Sequence, residues 1–471
     1  MPKIITTLNK IEEFKKLKTT RFSFSKLIFL GITLLVLGQH TSHAQLTVTG
    51  QVRERTEARG GFGTLLQDGA KGALFTNQRT RLNVGFAGYR YKIYASLQDV
   101  RVWGQDASTI NRTTTEANNG LLLHEAWTDI SLIDTLSTIQ NFSLKIGRQE
   151  ISYDDQKVLG SLDWLQQARR HDAIVLKYAN KGWTVDLGAA FNQRSEQFSG
   201  TTYNGLPTGY GAGTNGITNM YKSFQYAYIG RKFFFGDMSF LFFKDDFAKF
   251  TVAGTPAVTT WTQGVNARTT TGIYYNLNPT RKLNLNGSFY YQGGHDRLGK
   301  TISARLGSLT ATYQVNRKLF LGAGSDFLSG TNATGATQNN QFDPLYGTPH
   351  KFWGYMDFFY VASGFGNQGL LNYYAKAKYL ASDKLSLFLD VHGFESAARL
   401  AGDRTPYLGT EVDLMARYNF TKVINIEAGY SVMAATNTMA FVKGVVNPKL
   451  TAQFAYVMLK VTPNFLNTKK M

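Results

Sequence analysis

The stretch "YRYKIYASLQ", Tyr89 to Gln98, decides how this chain folds. Tyr89, Tyr91, Ile93, Ala95 and Leu97 fall on one side of an extended backbone, and Arg90, Lys92, Tyr94, Ser96 and Gln98 on the other. Side chains of a strand point alternately to opposite faces, so one face is apolar and the other carries charge. The same alternation recurs nearby. "LTVTGQVRER" sets Leu46, Val48 and Val52 against Arg53 and Arg55, and "RTRLNVGF" sets Leu82, Val84 and Phe86 against Arg79 and Arg81. "WTVDLGAAFN", "LNLNGSFYYQ" and "LNYYAKAKY" carry it into the C-terminal half.

The connections alternate too. Eight junctions, near 88, 137, 181, 235, 279, 316, 382 and 420, are short and carry turn residues. Between them lie nine longer polar or Gly-rich stretches, near 57–77, 104–121, 151–170, 194–219, 249–261, 293–302, 329–369, 394–406 and 435–449. Seventeen connections join eighteen strands. A nineteenth strand-like segment, "KFWGYMDFFYVA" at 351–362, falls inside the longest loop and is assigned as a loop insertion. An even strand count with short turns at one end and long loops at the other marks an outer-membrane barrel. The predicted fold is all-β: a transmembrane antiparallel β-barrel with short periplasmic turns and long extracellular loops. A soluble β-sandwich gives no reason for short and long connections to alternate, and no fixed-length repeat suggests a solenoid or propeller.

The barrel settles which face meets what. An Arg or Lys facing lipid at the bilayer midplane costs roughly 2–4 kcal/mol, so the apolar face meets acyl chains and the basic face a wet lumen. Barrels of about 16–18 strands enclose an aqueous channel, which argues for transport.

The N-terminal segment is an address. Lys15, Lys16, Lys18, Arg21 and Lys26 lead into the apolar run "LIFLGITLLVLG", Leu27 to Gly38, and "SHA" ends at Ala44. That run is twelve residues, against about 20 for a spanning helix, so residues 1–44 read as a secretory signal peptide. The expected domains are therefore 1–44, signal peptide, and 45–471, barrel channel. Only a few residues precede the first strand, so no plug domain is expected there. The remaining chain carries 44 Lys/Arg against 30 Asp/Glu, a charge of +14. Such a balance suits nucleic acid, but export makes that partner untenable. Without cysteine the fold does not rely on disulfides.

Carrying the alternation through, Arg53, Arg55, Arg79, Arg81, Arg90 and Lys92 point inward on the first three strands. Lys145, Arg194, Arg268, Lys376, Lys378 and Arg417 join them, and Asp390, Glu411, Asp413 and Glu427 point inward from the last strands. Two uses fit these charges equally. Inward arginines focus potential and attract anions, with a planar fork that matches carboxylates. Alternatively, the first and last strands meet in a closed barrel, and opposite charges brace the wall as ion pairs.

The region 98–178 departs from the simple pattern. After Gln98 the phase slips, which a bulge or the membrane rim explains. "HEAWTDIS" places Glu125, Trp127 and Asp129 inward. "FSLKIGRQE" keeps Phe142, Leu144 and Ile146 outward; Gly147 is expected to mark a kink that turns Arg148 inward. "QDVRVWGQD", "HEAWTDISL" and "IGRQEISYDDQKVLGSLDWLQQARRHDAIVLKY" together resemble the alginate-export family of outer-membrane proteins. The resemblance is strong over about 98–178 and elsewhere rests on strand rhythm. It implies an 18-stranded barrel with a basic, narrowed lumen that passes an anionic uronate polysaccharide. By position it adds Arg101, Glu125, Asp129, Arg148, Asp163, Arg169, Arg170 and Asp172 to the pore-lining set. Lys157 stands where an arginine is expected, and "LNTKKM" follows the last strand, so the chain does not stop on an aromatic.

Other motifs carry little. "GAGTNG" (Gly211–Gly216) and "GFGNQG" (Gly364–Gly369) fit GxGxxG but lie in Gly-rich loops, not between a strand and a helix. The histidines lack metal-site spacing, and no Walker sequence or HExxH occurs. The expectation is a non-enzymatic channel without cofactor or metal, passing anionic sugars or oligosaccharides. The alternatives are a general diffusion porin and a barrel with a structural or enzymatic role. Expected partners are an anionic carbohydrate, the lipid bilayer with lipopolysaccharide, and the barrel-assembly machinery of a Gram-negative-type bacterium.

Overall fold

A computed structural model describes residues 44–104, 121–134, 136–193, 196, 198–200, 221–256, 258–360 and 366–468. The signal-peptide assignment and Arg194 fall outside the described residues. The first six strands are β1 (Gln45–Gly60), β2 (Ala73–Gly88), β3 (Tyr91–Val102), β4 (Leu122–Ser131), β5 (Asn141–Gln149) and β6 (His171–Asn180). Then come β7 (Trp183–Phe191), β8 (Ser223–Phe233), β9 (Gly236–Ala253), β10 (Val258–Leu277), β11 (Leu283–His295) and β12 (Thr301–Gln314). The last six are β13 (Leu319–Leu328), β14 (Leu370–Leu380), β15 (Leu385–Glu395), β16 (Tyr407–Asn419), β17 (Ile424–Ala435) and β18 (Thr451–Val461). Each pairs antiparallel with its sequence neighbours, and β1 pairs with both β2 and β18, closing the barrel. Past Pro463, a short continuation, Asn464–Asn467, also pairs with β1. Proline has no N–H to give the ladder, and its carbonyl instead accepts from Gly50 N (3.0 Å).

Alternation places the side chains as the pattern predicts. Val52, Leu82, Val84, Ile93, Ile146, Ile174 and Leu187 lie exposed on the outer face, while Arg53, Arg55, Arg79, Ser96 and Gln98 are buried inside. Trp183, Phe233, Phe234, Tyr313, Tyr379 and Phe420 form an outer aromatic girdle near the short turns, where amphipathic rings meet headgroups.

One expectation changes, and the loop assignment of 351–362 holds over its described residues. The stretch 249–261 is largely not a loop, because β9 and β10 run on as a long hairpin turning at 254–256. Its β-branched "FTV" and "VTTWT" favour strand over coil. The segment 351–362 forms no strand over its described residues; Pro349–Lys351 is a single 3-10 turn, and 352–360 packs inside the barrel. One helix, α1 (Asn437–Lys443), sits in the last long loop, with Thr436 Oγ1 capping Met439 N.

Candidate pore and its infolded loops

The lumen is not an open tube lined by strands. Two long loops fold into it, 150–170 between β5 and β6 and, between β13 and β14, one described over 329–360 and 366–369, and their apolar residues supply much of the core. Leu159, Leu162, Phe342, Trp353, Met356, Phe358 and Phe359 are all at most 1 % exposed. The loops are joined to each other. Gly160 N donates to Tyr346 O and Tyr346 N to Val158 O, both at 3.0 Å, and Thr348 N donates to Gln156 O at 2.8 Å. Trp164 of the first loop stacks on His350 of the second, with ring centres 3.8 Å apart.

What seats the first loop is the arginine wall. Arg53 donates to the carbonyls of Asp163 (2.7 Å) and Leu165 (3.1 Å) and to Gln166 Oε1 (2.8 Å). Arg55 donates to Trp164 O (2.7 Å), and its guanidinium lies 3.9 Å over the Trp164 ring. The Asp163 carboxylate bridges Arg53 (3.2 Å) and Arg79 (2.8 Å). Burial pushes the Asp163 carboxyl up, but the Arg79, Arg53 and Arg81 charges outweigh it and hold it below the usual carboxylate range. Further round, Lys157 inserts its ammonium between β12 and β13, donating to Asp326 Oδ1 (2.7 Å) with both groups buried. Arg169 donates to Gly347 O (2.7 Å), tying the loops once more. Arg170 follows it, half-buried.

The acidic wall holds the second loop by the complementary means. Glu411 accepts from Met356 N (2.9 Å) and Asp413 from Tyr355 N (3.4 Å). Guanidiniums on β1 and β2 therefore grip loop carbonyls, and carboxylates on nearby β16, across β17 and β18, grip loop N–H groups. Neither sequence-level use of these charges anticipated that arrangement. True wall pairs do occur, at Lys376–Asp390 (2.9 Å) and Arg417–Glu427 (2.8 Å), but they join neighbouring strands rather than the first and last. Arg268 forms a buried cluster with Asp245 (2.7 Å) and Asp343 (2.6 Å), which again ties β9 and β10 to the second loop.

Three expected pore residues lie on the outer face. Arg101 pairs with Asp99 in a bidentate contact (2.7 and 2.8 Å), and β3 stays in register with β2 throughout, so the phase slip marks the membrane rim and not a bulge in β3. Arg148 pairs with Asp172 (2.8 and 2.9 Å) on the same outer side. Gly147 does adopt φ +126°, and a Cβ there would meet Ala126 O at 2.2 Å, yet the strand keeps its alternation through the kink. Arg148 therefore remains outside, as the parity of Leu144 and Ile146 dictates. Arg90 is also displaced: it occupies the β2–β3 turn with φ +63° and donates to Ser131 O.

Lys92, Asp129, Glu125 and Lys145 face inward on β3 to β5. Lys92 sits opposite Asp129 in the ladder, and Lys145 lies 4.0 Å over the Trp127 ring. A bulge does occur, in β4 at His124, where Ser96 pairs with Glu125 but Leu97 with Leu123. It turns His124 into the lumen, a residue the sequence reading set aside. Its Nε2 stands 3.0 Å from an Arg81 nitrogen and 2.9 Å from a Glu150 oxygen. His124, Glu125 and Glu150 bring possible ligand atoms within 4.8 Å of one another. The fixed charge of Arg81 against the imidazole opposes a cation there.

Beneath the loops, on the short-turn side, a cavity of about 640 Å³ opens, lined in part by Asp163, Lys351, Arg417, Glu427 and Lys460. Within the first loop, Asp154 accepts from Tyr228 and Ser239 hydroxyls, both at 2.8 Å, and burial pushes its carboxyl up to about 6. A carboxyl raised on docking favours the seated loop in its protonated form, and that gain fades as pH rises through about 6. Closure events of single channels should accordingly lengthen between pH 7.5 and 5. Asp154→Asn should remove the dependence.

A closed eighteen-stranded barrel with lipid-facing apolar residues, an aromatic girdle and loops folded into a charged lumen is an outer-membrane channel of the Gram-negative type. More specifically, the chain belongs to the alginate-export family, which it matches over residues 44–363. Solved structures of similar fold include Pseudomonas aeruginosa OpdQ, 15% identical over 90% of this chain and 98% of that one, with a TM-score of 0.55. P. aeruginosa OccK9 (OpdG) is 13% identical over 89% and 98% of the two chains, and Acinetobacter baumannii OccAB4 13% over 90% and 99%, each with a TM-score of 0.57. At these identities the likeness is one of fold. No curated protein matches the sequence.

Proposed function

We propose that the barrel passes anionic sugars or oligosaccharides, uronates in particular, by diffusion and without catalysis. The observation that carries this reading is the charge left over once the loops are seated. Arg53, Arg55 and Arg79 are occupied with loop carbonyls and Asp163. The cavity beneath still presents Lys351, Arg417, Lys422 and Lys460 against Asp163 and Glu427. A narrow passage with a cationic surplus focuses potential and enriches anions. The family membership supports a uronate as the solute class. Export through a signal peptide at 1–44, contact with lipopolysaccharide and insertion by the barrel-assembly machinery belong to the same reading.

Reversal potentials across a planar bilayer in a KCl gradient test it. The wild-type channel should favour chloride, and Lys351→Gln/Lys460→Gln should cut the chloride-to-potassium permeability ratio severalfold. Cation preference in the wild type overturns the proposal. A ratio near one in both proteins points instead to a general diffusion pore.

A further inference from the structure

The short-turn end of the barrel is strongly basic. Counting each short turn with two flanking residues on either side, the eight turns hold ten Lys/Arg and three Asp/Glu. The periplasmic rim is thus strongly cationic. Lys232, Arg281, Lys282, Arg317 and Lys318 are exposed, as solvated turn tips would be.

Their position adds what solvation does not explain. Directly above the tips, on the outer girdle, stand Trp183 and Phe233, whose rings mark the membrane interface. Arg231 sits on this outer face. Its guanidinium lies 4.8 Å over Trp183 and 5.8 Å over Phe233, and it donates to Lys181 O in the adjoining turn (2.7 Å). That geometry fixes a cation at headgroup level, on the lipid side of the wall rather than the lumen side. Opposite charge near a bilayer surface binds anionic headgroups.

From this juxtaposition we infer that the periplasmic rim binds a shell of anionic phospholipid in the inner leaflet of the outer membrane. The partner is a glycerophospholipid with a phosphate-diester headgroup and no compensating amine. The inference stands apart from the solute the pore passes.

Trp183 is the built-in reporter, since among the described tryptophans it alone is exposed on the outer face near the short turns. The purified full chain is reconstituted in phosphatidylethanolamine vesicles in which a fixed fraction carries bromine near the headgroup. The brominated lipid is either phosphatidylglycerol or phosphatidylethanolamine. Subtracting the signal of Trp183→Phe isolates the one residue. Brominated phosphatidylglycerol should bind beside Trp183 about five-fold more strongly than its zwitterionic counterpart, the effect of about one basic residue at the surface. The preference should vanish in Lys181→Gln/Arg231→Gln/Lys232→Gln and shrink in high salt. Equal quenching by the two lipids in the wild type overturns the inference. So does an undiminished preference in the triple variant. A triple variant that keeps its lipid preference but loses anion selectivity would assign the ring to solute capture instead.

Discussion

Asp163→Ala should raise single-channel conductance severalfold and make closures rare. The substitution leaves every backbone contact of the first loop in place but removes the carboxylate between Arg53 and Arg79. Both guanidiniums are buried, with side chains 4 % and 0 % exposed, so each would then face its like-charged neighbour without a counter-ion. Buried charge left without its partner costs about 3–5 kcal/mol, and moving the loop out lets water in to solvate the pair. Unlike a strand substitution, this one leaves the barrel's ladder intact, so heat-modified mobility on gels should stay wild-type while planar-bilayer conductance rises. Asp163→Asn, which keeps the shape and some hydrogen bonding, should fall between. If Asp163→Ala conducts like the wild type, the arginine wall does not hold the loop.

The second large effect concerns Lys157. Asp326→Ala strands its ammonium between β12 and β13, leaving Asp155 at 3.9 Å as the nearest carboxylate. The loss should again reach about 3–5 kcal/mol of loop docking, read as faster proteolytic cleavage within 150–170. Asn372, which donates to the other Asp326 oxygen (3.0 Å), loses its acceptor as well. Lys157→Met/Asp326→Leu should recover most of the protection, because two apolar groups of similar volume replace a desolvated pair. A double variant as labile as Asp326→Ala would mean that the aspartate acts through packing alone.

The barrel was legible in the sequence because alternation is a local signal, repeated eighteen times, and lipid punishes any error in it. Arg53, Arg55, Arg79 and Arg81 face the lumen for that reason. Arg148 shows the same rule from the other side. Its parity with Leu144 and Ile146 placed it outside, and the expected kink at Gly147 overrode a pattern that in fact held. His124 had a readable signal as well. Leu123 and Ala126 both face outward, an odd step that only an extra residue between them can produce. What the sequence did not reveal is the fate of the long loops. Their return into the lumen depends on contacts such as Arg53 with Asp163 and Glu411 with Met356, which span 110 and 55 residues and leave no periodic trace.

The backbone bonds that knit Val158, Gly160 and Gln156 to Tyr346 and Thr348 have a consequence for how the obstruction yields. Neither flap can swing aside without breaking main-chain bonds to the other, so the two constitute one cooperative unit. A solute that loosens the arginine-held flap thereby weakens the carboxylate-held one by the same free energy, and the reverse is equally true. The gate is a single latch with two handles on one stretch of wall, where β16 to β18 meet β1 and β2.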